Sequence, residues 1–126
     1  MKKKFLFIMA TVFLVALTLA TPIWGKANKL NKRDGVFYHD GIKETYYNLN
    51  MKRVVKRAKD AGVVEGEYNV REDGVKCIGK YVIVAAPYDT WDYGTCVMTS
   101  LGIGVVIDTG AFAETNKNQI DIAVDW

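Results

Sequence analysis

Hydrophobic and polar positions follow three rhythms along the chain. The first is an apolar run of 16 residues from Phe5 to Ala20, interrupted only by Thr11 and Thr18 and preceded by Lys2, Lys3 and Lys4. That order of charge then oil is the pattern of a secretory signal. The stretch from Lys26 to Gly35 is polar and basic and reads as a linker. From Val36 shorter rhythms take over. In "GVFYHDGIKETYYNL" two apolar pieces flank His39-Asp40-Gly41, which predicts two strands joined by a tight turn. In "NMKRVVKRAKDAG" Met51, Val54, Val55, Ala58 and Ala61 share one helical face, with Asn50 as N-cap and Gly62 ending the helix. Beyond it "YVIVAA", "GTCVMTSLG" and "IGVVID" are short strand-like runs. "QIDIAVDW" alternates strictly, with Ile120, Ile122 and Val124 on one side and Asp121, Ala123 and Asp125 on the other. Glycines at 94, 102, 104 and 110 punctuate these runs. Many short strands in so short a chain predict a mainly β fold, a small barrel with one packed helix. Gly110, just after Asp108 and Thr109, is expected to hold a turn that β-branched residues cannot reach, unlike Gly74.

Charge changes the picture once the leader is set aside. The whole chain carries 17 basic and 14 acidic residues, a formal net charge of +3. Four of the basic residues and none of the acidic ones fall in residues 1–27, so the remainder is near neutral. The basicity belongs to the leader, and a nucleic-acid partner has no global charge behind it. Two cleavage positions fit, after Ala20 and after Ala27; an uncleaved N-terminal anchor is the alternative, although the run is short of the ~20 residues that span a bilayer comfortably. No Cys follows the run, which argues against a lipoprotein anchor. The expected organisation is a signal peptide over 1–27, a linker over 28–35 and one domain over 36–126, exported to the medium or cell wall, monomeric, with no membrane span once the signal is gone. Lys52, Arg53, Lys56, Arg57 and Lys59 lie mostly on the outer helix face, where solvation is the plain explanation and contact with anionic wall polymer the sharper one.

Candidate chemistry is sparse. Cys77 and Cys96 are the two cysteines; an oxidising destination permits a bridge, which would close a loop worth roughly 3 kcal/mol, and two buried free thiols are equally compatible with the sequence. His39 is the single histidine, so histidine-based metal sites and triads have little material. What stands out is that two aliphatic runs each end on an aspartate, Asp108 in "GVVIDTG" and Asp121 in "QIDIAV". Two carboxylates facing one groove are what glycosidic cleavage requires: one protonated to serve the leaving oxygen, the other stabilising positive charge or acting on a nucleophile. Crowding of like charges would raise the pKa of one of them. A capped turn at Asp108 and a solvated strand aspartate at 121 are the plain alternatives. "VVIDTGA" also matches the aspartic-protease signature, but the 16 residues after Gly110 are too few for the rest of such a fold. In "PYDTWDYG", Tyr88, Trp91 and Tyr93 are candidates to stack on sugar rings or, equally, to plug one end of the barrel. Glu44 in "KETYY" is a further candidate groove carboxylate.

The segment from Gly79 to Trp126 resembles the 3D domain, named for three aspartates, found in cell-wall proteins of spore-forming Gram-positive bacteria and in the C-terminal part of the membrane-bound lytic transglycosylase A family. The shared frame is a Val-Ala run, then Gly94-Thr95, an aliphatic run ending in Asp108-Thr109-Gly110, and the pair Ile120-Asp121. The resemblance implies a six-stranded double-psi β-barrel that cleaves peptidoglycan glycan strands without water and leaves a 1,6-anhydro sugar. It makes Asp121 the catalytic acid and base and Asp108 its support, with no metal and no cofactor. The family's first aspartate falls here on Pro87; Asp89 and Asp92 are the nearby substitutes. A wall-binding, expansin-like module that keeps the groove without the chemistry is the rival expectation, favoured by that missing aspartate. The mature N-terminus is expected at Thr21 or Asn28, measured as the intact mass of the exported protein; a mass beginning at Met1 would contradict signal cleavage.

Overall fold

The computed structural model describes residues 27–126, so the signal-peptide expectation lies outside the described residues except for Ala27. Eight strands and two helices follow one another: β1 (Phe37–His39), β2 (Ile42–Tyr47), α1 (Lys52–Asp60), β3 (Tyr68–Val70), β4 (Lys76–Ile78), β5 (Tyr81–Ala85), β6 (Cys96–Thr99), β7 (Gly102–Asp108), α2 (Phe112–Thr115) and β8 (Gln119–Ala123). The mainly β class expected from the sequence is correct. The count differs from six strands and one helix: β3, β4 and the short α2 are additional, and the eight strands form one sheet that does not close on itself.

Local chemistry explains the first elements. β1 and β2 pair antiparallel with His39 opposite Ile42, leaving Asp40 and Gly41 as a two-residue turn. Both take positive φ, 50° and 80°, the twist that a tight hairpin demands and that an Asp-Gly pair tolerates. α1 buries Val55 and Ala58. The Asn50 carboxamide oxygen accepts the Lys52 amide at 2.9 Å, capping the helix from one residue before Met51. At its other end Gly62 has φ 71° while the Val63 amide reaches back to the Ala58 carbonyl at 3.2 Å, a Schellman-type stop.

β5 is the hub of the sheet. β7 runs parallel along one edge, while β4 and β8 share the other, both antiparallel, with β4 against its first half and β8 against its second. β8 in turn pairs parallel with β2. A strand paired on both edges and covered on both faces must be aliphatic throughout, which is what "YVIVAA" supplies. Alternate residues of β5 and β8 enter two separate cores. Val82, Val84, Ile120 and Ile122 join one cluster with Leu30, Val75, Cys77 and Val106; Ile83 and Ala123 join another with Ile107 and the Met51, Val55 and Ala58 face that packs α1 on the sheet. Each fully buried Ile or Val adds roughly 1.5–3 kcal/mol of hydrophobic stabilisation.

Three expectations change here. Residues 28–35 are tied to the domain at Leu30, which is 1% exposed in the first core and whose amide donates to the Ser100 hydroxyl at 2.9 Å. Cys77 is a buried free thiol and Cys96 an exposed one. The glycine expectation reverses: Gly110 has no positive φ and an added Cβ would meet only the Phe112 ring, at 3.3 Å. Gly74 has φ +85°, and a Cβ there would press on Asp125 and come within 2.8 Å of the Trp126 ring. Gly74→Val is therefore expected to lower stability by more than about 2 kcal/mol and Gly110→Val by less than about 1 kcal/mol, read from urea midpoints. Equal midpoints would contradict this.

Candidate functional site

The two aspartates meet at the end of β5. Ala85 pairs with Asp108 of β7 on one side and with Asp121 of β8 on the other. Cross-strand partners point to the same face of a sheet. On β7 this needs a correction to simple alternation, since Ile107 faces the second core and its successor should face away. The register shifts between Val84 and Ala85, where Val84 opposes Val106 but Ala85 opposes Asp108. This bulge inserts Ile107 as the extra residue and turns the Asp108 carboxylate to the Asp121 side.

Both carboxylates are held from β2, which presents Thr45 and Tyr47 on this face. The Thr45 hydroxyl donates to Asp121 Oδ1 at 3.0 Å and receives a bond from Gln119 Nε2 at 3.0 Å; Gln119 Oε1 in turn accepts from Asn116 Nδ2 at 3.3 Å. The Tyr47 hydroxyl donates to Asp108 Oδ2 at 2.8 Å, and the Thr109 amide donates to Asp108 Oδ1 at 2.9 Å. Tyr47 lies on β2, where it pairs with Ala123 of β8, and its hydroxyl links that strand to Asp108 of β7.

Electrostatics separate the two acids. Burial pushes Asp121 up to about 6; the Thr45 hydrogen bond pulls the other way, and the Asp108 charge adds to the rise. Tyr47 is raised far above its ordinary value, first by burial and then by the Asp108 charge, so it stays a neutral donor. The arrangement presents a carboxyl that changes protonation near neutrality beside one anchored by a phenol and a backbone amide. That is the division of labour an acid–base pair needs.

The other candidates divide. Tyr88 stands beside the pair: it is 38% exposed, its hydroxyl is raised by burial and then by Asp108, and its ring meets Tyr93 edge-on at 5.7 Å. Tyr93 packs on the second core, its hydroxyl buried with no hydrogen-bond partner among the described residues. Trp91 packs against the first core, on the other side of the sheet from the carboxylates. Asp89 pairs with Lys117 at 3.1 Å, and Asp92 is exposed, its carbonyl capping Thr95; neither carboxylate bonds to the pair. Glu44 does not join the groove. It is 0% exposed on the first-core face of β2, its carboxylate accepting from the Ser100 amide at 2.9 Å and the Ser100 hydroxyl at 2.5 Å. The site residues of β2 are its neighbours Thr45 and Tyr47, one step along in the same "KETYY" run. A single-residue step on a strand exchanges faces, and only the parallel pairing with β8 decides which face meets Asp121.

No protein-family model, curated protein or solved structure matches the chain. Among the described residues no helix is long and apolar enough to cross a membrane.

The raised Asp121 makes stability depend on pH. Between the unfolded value of 3.8 and the folded value of about 6 the native state holds its proton more tightly than the unfolded chain, so stability falls as pH rises through that window. Asp121→Asn removes the burdened charge. The variant is expected to be more stable than the parent by about 1–2 kcal/mol above pH 6, discounted for partial exposure, with the gain vanishing below about pH 4. Urea unfolding at both ends of the window checks this; a difference independent of pH would contradict it.

Proposed function

We propose that this chain is a peptidoglycan-active protein exported to the cell wall, a lytic transglycosylase that cleaves glycan strands. The observation that carries the proposal is the pair Asp108–Asp121 on either side of Ala85, one carboxyl raised to about 6 and the other held by Tyr47 and Thr109. The resemblance to 3D domains supports it. So does the centre of the sheet, where the parallel pairs β2·β8 and β5·β7 are joined through antiparallel β5·β8, an arrangement compatible with a double-psi barrel core.

In the proposed reaction protonated Asp121 gives its proton to the glycosidic oxygen as the bond from the anomeric carbon breaks. Ionised Asp108 stabilises the positive charge that develops on the ring. The sugar's own 6-hydroxyl then bonds to the anomeric carbon and returns its proton to Asp121. The products are a free hydroxyl and a 1,6-anhydro sugar, with no water consumed. Tyr88, exposed beside the pair, supplies a face for a sugar ring.

A specific observation favours the rival, a wall-binding module without chemistry: Pro87 occupies the place of the family's first aspartate, and neither Asp89 nor Asp92 reaches the pair. Digestion of purified peptidoglycan, with mass spectrometry for anhydro-muropeptides, decides. The parent is expected to release them, Asp121→Asn to release none, and Asp108→Asn to be slowed roughly a hundredfold, since losing one charge-stabilising contact costs about 3 kcal/mol of barrier. Pro87→Asp is expected to raise the rate. Asn variants as active as the parent would make the aspartates structural, and sacculus binding without cleavage by the parent would establish the binding module.

A further inference from the structure

On the far flank of α1 from Tyr88 lies a second concave surface that the carboxylate chemistry does not use. It is a cleft of about 1040 Å³ whose lining brings Lys52, Lys56, Lys59 and Lys76 together with one carboxylate, Asp60, and with the apolar Leu49, Met51 and Val55 and the ring of Tyr68. The unusual member is Lys76. It is 7% exposed, and among the described residues no carboxylate lies within ion-pair distance of it. Its ammonium donates to Asn48 Oδ1 and to the Leu49 carbonyl, both at 2.7 Å. An ammonium has three N–H donors, so one is left, and a buried cation without a counter-charge is costly. An anion in the cleft would supply both the missing acceptor and the missing charge.

The rim fits a chain better than a single ion. Lys52, Lys56 and Lys59 follow one helix flank with rises of about 6 and 4.5 Å between them, a row suited to successive charges of a linear polymer. Lys52 has no acidic partner among the described residues, while Lys56 and Lys59 pair with Asp60 at 2.6 Å and Glu67 at 3.2 Å. Those carboxylates are 65% and 91% exposed, so solvated pairs of this kind exchange readily for a polyanion. All the cations are lysines, compact point charges that bind phosphate without requiring a bidentate geometry. Tyr68 is the single aromatic in the lining, too few to stack a run of bases, whereas Leu49, Met51 and Val55 offer apolar surface to aliphatic carbons.

We propose that this cleft binds an extended, base-free phosphodiester chain of the polyol-phosphate type, with Lys76 holding one phosphate from the floor and Lys52, Lys56 and Lys59 holding its neighbours along the rim. The site stands apart from the carboxylate pair and does not depend on glycan cleavage. The test is calorimetric titration of the full-length chain with a synthetic oligo(glycerol phosphate), with monomeric glycerol phosphate, and with an oligothymidylate of equal charge. The oligomer is expected to bind most tightly, with a salt dependence that marks several phosphate contacts. Lys52→Glu/Lys56→Glu, at exposed positions that spare the fold, is expected to weaken it about tenfold or more. Lys76→Met is expected to abolish it while keeping a cooperative melting transition; if that variant does not fold, the exposed pair decides alone. Asp121→Asn is expected to bind as the parent does, which separates this site from the cleavage proposal. Undiminished binding by the Lys52/Lys56 variant, monomer binding as tight as oligomer binding, or preference for the oligothymidylate would each overturn it.

Discussion

Everything distinctive about this molecule depends on the pairing of β5. One short aliphatic strand takes β7 along one edge and divides the other between β4 and β8, so its last residue, Ala85, has a neighbour on each side. A regular ladder would have sent one of the two aspartates to the opposite face. The bulge at Ile107 prevents that, and it costs one unpaired residue in an otherwise continuous sheet.

Bringing two carboxylates together at a half-buried position opposes folding, and the surroundings show how the opposition is distributed. Asp108 receives a phenol and a backbone amide as hydrogen-bond donors. Asp121 receives one hydroxyl, itself positioned by Gln119, and remains harder to ionise. The asymmetry arises first from the burial of Asp121, which its single hydroxyl donor offsets only in part. Function in the proposed sense would thus rest on a local instability that the two surrounding cores, with their fully buried Ile and Val residues, readily sustain.

How much of this was legible in the sequence follows from how local each signal is. The Asp40-Gly41 hairpin, the amphipathic α1 with Gly62 after it, and the alternation of β8 are set within a few residues, and all three are found. The joint placement of Asp108 and Asp121 could be suspected from their positions at the ends of aliphatic runs, but the bulge that realises it depends on strands far apart in the chain. Glu44 and Thr45 illustrate the limit: both are polar residues in one strand, and only its pairing with β8 decides that the acid is buried away from the site and the hydroxyl serves it. Leu30 is similar, an isolated apolar residue in a basic stretch whose place in the core depends on Ser100, seventy positions away. The crowding at Gly74 is likewise non-local, since it comes from Asp125 and Trp126, some fifty positions further along the chain.

The central claim is that burial beside Asp108 keeps the Asp121 carboxyl protonated until near neutrality. Its most direct test is carbon-13 NMR titration of the aspartate side-chain carboxyls in the intact protein, with Asp121 assigned from the Asn variant. A main inflection for Asp121 near pH 6 is the predicted result. An Asp121 titration near the ordinary aspartate value of about 3.9 would contradict the account, because the carboxyl would then have lost its proton well below neutrality and could not serve as the acid.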